Sequence, residues 1–244
     1  MSQDLNYNVM FSPRGVMMLA QTEHEVRGYQ RTAHANALQG VTTEFIGTAK
    51  VKELCPIIEL KAPRFPVLGA LLQARGGTAR HDAVAWGFAR AADRHGVDII
   101  QNCEVTAIRQ ENGAVTGVET SRGAISANKI GVVVAGHCSV LADMAGFRMP
   151  IESHPLQALV SEPIKPVLVT VVMSEAVHGY VSKSDKGDLV IGAGIDSYNG
   201  YGQRGSFSGI EHTVAAIVEL FPIFSRVRMN RQWGGIVDTT PDAC

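Results

Sequence analysis

The dipeptide Asn112-Gly113 stands between two runs of alternating apolar residues, Val105 and Ile108 before it and Val115 and Val118 after it. Both turn positions of a tight two-residue hairpin need positive φ, which asparagine and glycine tolerate, so this pair fixes an antiparallel hairpin. Its neighbours extend the pattern. Arg122-Gly123 marks a second turn, and residues 124–135 read as a third strand of the same meander. The buried end of that strand is Gly131-Val132-Val133-Val134-Ala135; Gly136 breaks it, and residues 139–145 turn helical. Upstream, residues 82–95 carry Val84, Phe88, Ala91 and His95 on one stripe. This predicts a helix that buries the stripe beneath a short strand over residues 97–100, with Gly96 as its left-handed stop.

The flanking segments read differently. Val26, Tyr29, Ala33 and Ala37 recur at helical spacing and predict a helix over residues 23–38, stopped by Gly40. Thr48 caps a short helix with Val51 and Leu54 inward, and Pro56 ends it. Residues 61–78, with Pro63, Pro66 and Gly76-Gly77, read as an irregular crossing segment. Beyond Pro150, residues 156–161, 167–173, 179–182 and 189–195 are strand-like and joined by Pro, Asp and Gly turns, which predicts an antiparallel sheet. Ser208-Gly209-Ile210-Glu211 matches a capping box and opens a helix burying Ile210, Val214, Ile217 and Phe221, before a last strand over residues 226–239. The chain opens within strand-like sequence, Tyr7-Asn8-Val9-Met10-Phe11, and closes at Pro241-Asp242-Ala243-Cys244 directly after a strand. A parallel β-α-β nucleotide-binding unit opened by a GxGxxG turn is not expected in this chain. These features predict a piece of a longer protein.

With 244 residues the chain is long enough for one large domain or two interleaved ones. A net charge of -1 without blocks of like charge argues against nucleic acid or an anionic membrane as partner. No apolar run is long enough to span a bilayer, and the first residues carry no signal-peptide pattern, so the expected location is cytoplasmic. Cys55, Cys103, Cys138 and Cys244 form no CxxC pair and read as reduced thiols, with no zinc ligand pattern. His24, His34, His95, His154, His178 and His212 share no metal spacing and read as surface or locally hydrogen-bonded residues.

The stretch Gly76-Gly77-Thr78-Ala79-Arg80-His81-Asp82-Ala83-Val84-Ala85-Trp86-Gly87 is similar to the FMN-carrying segment of the beta subunits of heterotetrameric sarcosine oxidases. The stretches from His95 to Val105 and from Gly187 to Asp196 resemble the same subunits. The ending Trp233-Gly234-Gly235-Ile236-Val237-Asp238-Thr239-Thr240-Pro241-Asp242 looks like the wider D-amino-acid-oxidase-like family of FAD-dependent oxidoreductases. The resemblance implies a mixed α/β (α+β) fold, an FAD-binding domain interrupted by an antiparallel-sheet substrate domain. It divides the chain into residues 1–60 (helical and strand part of the substrate domain), 61–150 (part of the FAD-binding domain) and 151–244 (the antiparallel sheet). It further implies oxidation of the N-methyl C–N bond of sarcosine by hydride transfer to FAD, with electrons passing to FMN and then to oxygen to give hydrogen peroxide. The one-carbon unit goes to tetrahydrofolate in a large partner subunit that also holds NAD; alpha, gamma and delta subunits are the implied partners. Another amine oxidase or dehydrogenase of the family, such as a glycine oxidase or dimethylglycine dehydrogenase, is the neighbouring reading, and a non-catalytic scaffold subunit a more distant one.

The resemblance assigns roles to particular residues. His81 becomes the covalent attachment point of FMN: a neutral imidazole is a competent nucleophile toward an electrophilic flavin methyl group. Spacing alone would leave it a histidine at a helix start. Arg80 beside it can neutralise flavin or phosphate charge. Val105 offers its backbone to the adenine edge of FAD, though alone it reads as core. Ala135 and Gly136, at a strand end, are where a cofactor approaches closely, while an ordinary turn is the competing reading. Tyr180 falls on a strand that offers an active-site tyrosine, with a buried structural tyrosine as the alternative. Where related single-chain enzymes hold FAD through a cysteine, this chain has Gly235, which implies non-covalent FAD. The arginine and lysine that grip the substrate carboxylate in the family are expected outside this chain.

Overall fold

The computed structural model describes residues 1–61 and 64–242, so Pro63, Ala243 and Cys244 lie outside the described residues. The elements in chain order begin with α1 (Ser2–Leu5), β1 (Ser12–Pro13), β2 (Val16–Ala20), α2 (Glu23–Leu38), β3 (Glu44–Gly47), α3 (Thr48–Leu54), β4 (Gly69–Gln73) and β5 (Gly77–Thr78). Next come α4 (His81–Arg94), β6 (Val105–Glu111), β7 (Ala114–Thr120), β8 (Gly123–Ser126), a 3-10 turn (Ala135–His137) and α5 (Cys138–Met144). The last are β9 (Glu152–Pro163), β10 (Val171–Ser174), β11 (Gly179–Lys183), β12 (Asp188–Ile195), α6 (Phe207–Leu220), a 3-10 turn (Pro222–Arg226) and β13 (Met229–Thr239).

An eight-stranded sheet in the order β13-β9-β12-β11-β10-β2-β4-β3 organises the molecule. All its pairings are antiparallel except β10 with β2, the seam where the early and late strands meet. Strand side chains alternate between faces, so aligned registers produce rows. One row runs Leu159, Ile191, Val181, Val172, Met17 and Leu72 across six neighbouring strands. All six are buried, in a core closed by Ala216, Ile217 and Leu220 of α6 and by Val51 of α3. On the opposite face, α2 covers only the β2–β4–β3 end, packing Tyr29 and Ala33 against Ala20 and Leu71.

The helix α2 matches its predicted bounds because both ends are locally written. Thr22 accepts from the backbone N–H of Glu25, whose carboxylate in turn accepts from the backbone N–H of Thr22, a complete capping box. At α6 the cap is Ser206, two residues before the expected Ser208. Ser206 Oγ receives the Gly209 N–H at 3.1 Å and donates to Asp196 Oδ1 at 2.8 Å, and that second bond selects it over Ser208.

Several other expectations are corrected. Residues 7–11 form no strand: Asn8 Oδ1 accepts the Met10 N–H at 2.9 Å and Met10 takes φ 54, a local side-chain bond that bends the backbone out of extension. The segment read as irregular contains β4 and β5, and β2 lies in a stretch for which no strand was expected. The hairpin at Asn112-Gly113 forms, but its third strand stops at Ser126, and the strand expected over residues 167–173 begins only at Val171. Residues 131–134 are not a buried strand; Val133 is 92% exposed. Residues 97–100 likewise carry no strand, and Val97, Ile99 and Ile100 are exposed. A continuous apolar run becomes a buried strand only between neighbours, and no described strand pairs with either run. The packed face of α4 is therefore Ala83 and Gly87, against which Leu5 and Tyr7 lie; the stripe expected inward leaves Phe88 exposed.

Candidate functional site

A cavity of about 730 Å³ opens over the sheet face opposite the buried row, with His212 of α6 among its lining residues. Its floor is the row next to the buried one: Trp233, Ala158, Gly192, Tyr180, Met173 and Met18, each paired with the next across the strands. The alternation that sends Leu159, Ile191 and Val181 into the core sends their neighbours here. Gly192 has a definite role: a Cβ there would lie 2.0 Å from Tyr180 Cε1, so the tyrosine ring rests flat across the glycine. Burial raises the pKa of the Tyr180 hydroxyl, which stays protonated. Gly194 and Gly235 also line the cavity and have no atom within 4 Å of where a Cβ would stand. The result is a low, largely apolar floor flanked by aromatic rings, suited to a flat ring system.

The end of the cavity beside α2 is polar. Tyr29, Ser174, Glu175 and His178 line it, and His212 of α6 also lines the cavity. Residues 174–178 form the tight turn between β10 and β11, closed by the His178 N–H donating to the Glu175 carbonyl at 3.0 Å. Ser174 Oγ receives the Val177 N–H at 3.3 Å and donates to Gln21 Oε1. His178 takes φ 48, a left-handed conformation uncommon outside glycine that histidine adopts more readily than most residues. The buried hydroxyl of Tyr29 has no well-formed hydrogen bond. Burial first, then the Glu175 and Glu25 carboxylates, raise its pKa well above the ordinary tyrosine range.

Behind the cavity wall, Gln157 Nε2 donates to Asp196 Oδ2 at 2.7 Å, and Gln232 Nε2 donates to Gln157 Oε1 at 3.2 Å. With the Ser206 bond, these contacts tie β9, β13, the loop after β12 and the start of α6 into one polar cluster. A second cavity, about 780 Å³, lies between α5 and the end of β13, with Asp143, Arg148, Glu152 and Thr239 in its lining.

Of the residues singled out in the sequence, Tyr180 lies at the middle of the first cavity. Gly136 is buried beneath β13, where a Cβ would meet Ile236 Cγ2 at 2.2 Å, and its carbonyl accepts from Ser153 Oγ at 2.6 Å. Ala135 beside it is exposed with φ 45. Val105 opens β6 opposite Thr120. His81 is the exposed first residue of α4, and Arg80 pairs with Asp82 at 2.9 Å, which lowers the pKa of the Asp82 carboxyl. Among these, only Tyr180 lines either cavity. Sequence reading missed Glu175, His178, His212 and Trp233. Trp233 was accessible through the alternation of its strand; the others converge through a turn and a helix whose juxtaposition has no local signature.

Among the described residues no helix is long and apolar enough to cross a membrane. The chain is 63% identical over 242 residues to "Sarcosine oxidase subunit beta" of Rhodobacter capsulatus, covering 99% of this chain and 58% of that protein. It is 57% identical to the protein of the same name from Arthrobacter sp, covering 99% of this chain and 60% of that one. The chain thus spans about three fifths of the length of these curated relatives. Among solved structures, L-proline dehydrogenase from P. horikoshii superposes with a TM-score of 0.88 at 23% identity, over 99% of this chain and 64% of that one, a likeness of fold. The model of the family described as DAO, FAD dependent oxidoreductase, matches residues 1–244, and the chain belongs to that family.

Proposed function

We propose that this chain supplies the substrate-facing sheet and part of the cofactor-binding domain of a flavin-dependent amine oxidoreductase that oxidises the N-methyl C–N bond of sarcosine. The observation that carries the reading is the 57–63% identity, across 99% of the chain, to subunits named for sarcosine oxidase. FAD, when bound, supplies the hydride acceptor. The cavity fits its flat ring: glycine at positions 192, 194 and 235 keeps the floor low, and Tyr180 and Trp233 offer aromatic surface. Gly235 carries no nucleophile, which favours non-covalent FAD. The chain's own residues shape the site, exclude water with Met18, Met173 and Trp233, and hold neutral phenols at Tyr29 and Tyr180. Among the residues lining this cavity there is no Arg or Lys, so the partner for a substrate carboxylate belongs elsewhere in the complete protein.

We place a covalent FMN on His81, whose imidazole is exposed at the start of α4 and open to a partner surface. Alpha, gamma and delta subunits, with NAD and tetrahydrofolate sites in the large one, complete the proposed assembly. The test uses the full-length subunit co-expressed with its partner chains. Sarcosine should reduce the bound flavin without added mediator, and a peptide map should show the His81 peptide heavier by one FMN. Flavin that sarcosine leaves oxidised would overturn the activity, and an unmodified His81 peptide in active enzyme would overturn the attachment.

A further inference from the structure

The first cavity carries a charge pattern that the proposed chemistry does not by itself require. Among its lining residues, Glu175 is the one formally charged side chain; no other Asp or Glu and no Lys or Arg faces the space. The remainder is apolar, aromatic or neutral-polar, with Met18, Met173, Tyr180 and Trp233 in the floor. A single carboxylate at one end of an apolar, aromatic-walled cavity selects for a cation: it would repel an anion, and an uncharged ligand gains nothing from it.

Glu175 is also held in place by a built turn. Its carbonyl receives the His178 N–H, His178 is kept in the left-handed region, and the preceding Ser174 is bonded on both sides, to Val177 N–H and to Gln21. These bonds fix the turn that carries Glu175 to the cavity. The second feature is Tyr29 of α2, a side chain only 7% exposed that lines the same cavity, with its buried hydroxyl close enough to Glu175 for that carboxylate to hold the phenol neutral. Tyr29 presents an aromatic ring at this end and Tyr180 one on the adjoining floor, and ring faces attract cations within about 6 Å.

We propose that residues 174–178 together with Tyr29 form a subsite for an alkylammonium group, with Glu175 as its counter-ion, the ring of Tyr29 as its wall and the ring of Tyr180 as its floor. Under the function proposed above, on which the choice of ligand rests, this subsite takes the amine end of a small N-methyl amino acid. The carboxylate end points away, toward groups outside this cavity. Glu175 is then a specificity-determining residue: it favours secondary ammonium ligands over neutral or anionic molecules of equal size.

Trp233 provides a readout independent of turnover. The chain has two tryptophans, and Trp86 is exposed on α4, so Trp86→Phe leaves Trp233 as the sole indole reporter. In that background the 244-residue chain is titrated with dimethylammonium chloride, with 2-propanol as the neutral probe and sodium acetate as the anionic one. The expected result is a saturable change in Trp233 emission with dimethylammonium alone, weakened at least tenfold by Glu175→Gln. The exposed position of Glu175 makes this substitution harmless to folding, and an unchanged thermal midpoint serves as the control. Binding that survives Glu175→Gln within twofold, or an equal response to acetate or 2-propanol, would overturn the subsite. Sarcosine turnover by the full-length protein is measured separately. Absent turnover with Glu175-dependent dimethylammonium binding refutes the proposed activity alone; turnover with no dimethylammonium response refutes the subsite alone.

Discussion

At Gly192 and Gly77 the absence of a side chain does different work, and the difference is measurable. A Cβ at Gly192 would meet the ring of Tyr180, a side chain that can swing into the cavity; a Cβ at Gly77 would lie 2.0 Å from the Ser12 carbonyl oxygen, which is backbone. Gly77→Ala should therefore destabilise by about 2–3 kcal/mol in urea denaturation, parting β5 from β1, while Gly192→Ala should cost about 1 kcal/mol and displace Tyr180. In the double variant Gly192→Ala with Tyr180→Ala, the two costs should fail to add, because the second change removes the clash caused by the first. Tyr29 sets a pH limit. Its folded pKa is raised above the ordinary 10.0 by burial and by the Glu175 and Glu25 carboxylates, so the unfolded phenol ionises first. The associated stability is present in full below about pH 10 and is lost as the pH climbs above that value toward the folded pKa. Thermal midpoints between pH 8 and 11 should fall more steeply for the parent than for Tyr29→Phe. Equal slopes would show that Tyr29 is not held neutral by its surroundings.

The elements separate what local sequence determines from what packing decides. Ser206 and Ser208 test this directly: Ser206→Ala should cost about 1 kcal/mol through loss of the α6 cap, and Ser208→Ala should stay within about 0.5 kcal/mol. Equal costs would restore the capping box first expected at Ser208. The helix α2 was legible to the residue because its stop and start are short-range, as was the hairpin at Asn112-Gly113. The buried face of α4 was not legible: it carries two apolar faces, and which one is covered depends on Leu5 and Tyr7, some eighty residues earlier in the chain. The strands of the large sheet were mostly readable after Pro150 and mostly unreadable before it, where β2, β3 and β4 are short and sit among prolines, glycines and a helix. Of the cavity, Tyr180 was singled out through the family resemblance of its strand, and the cavity includes it. Glu175 and His178 could not be singled out, because a tight turn with φ 48 at a histidine has no sequence signature.

Across the whole molecule, the large sheet is closed on one face by α6 and α3 and only partly covered on the other by α2. The region between α4 and α5 contrasts with it, exposing Val97, Ile99, Ile100 and Val133. Exposed apolar groups of this kind favour self-association. Replacing Ile99 and Val133 by lysine should lower the apparent mass of the 244-residue chain in sedimentation at high concentration and shift its thermal midpoint by no more than a surface change does, about 0.5 kcal/mol. A large loss of stability would show that these side chains are buried in the folded chain.

The parallel seam between β2 and β10 has a consequence for the chain as it is made. Val16 pairs with Val171, so the strand that emerges first from a ribosome waits for a partner roughly 150 residues later. At the usual pace of about 5–20 residues per second, that interval lasts on the order of ten to thirty seconds. During it, Met17 and Leu19, both fully buried in the finished sheet, have only β4 to pair with and no β10 beside them. Such distant pairing makes for slow closure. A nascent chain stalled before residue 171 should bind hydrophobic-segment chaperones through residues 16–20, and should release them once synthesis passes β10 and β11.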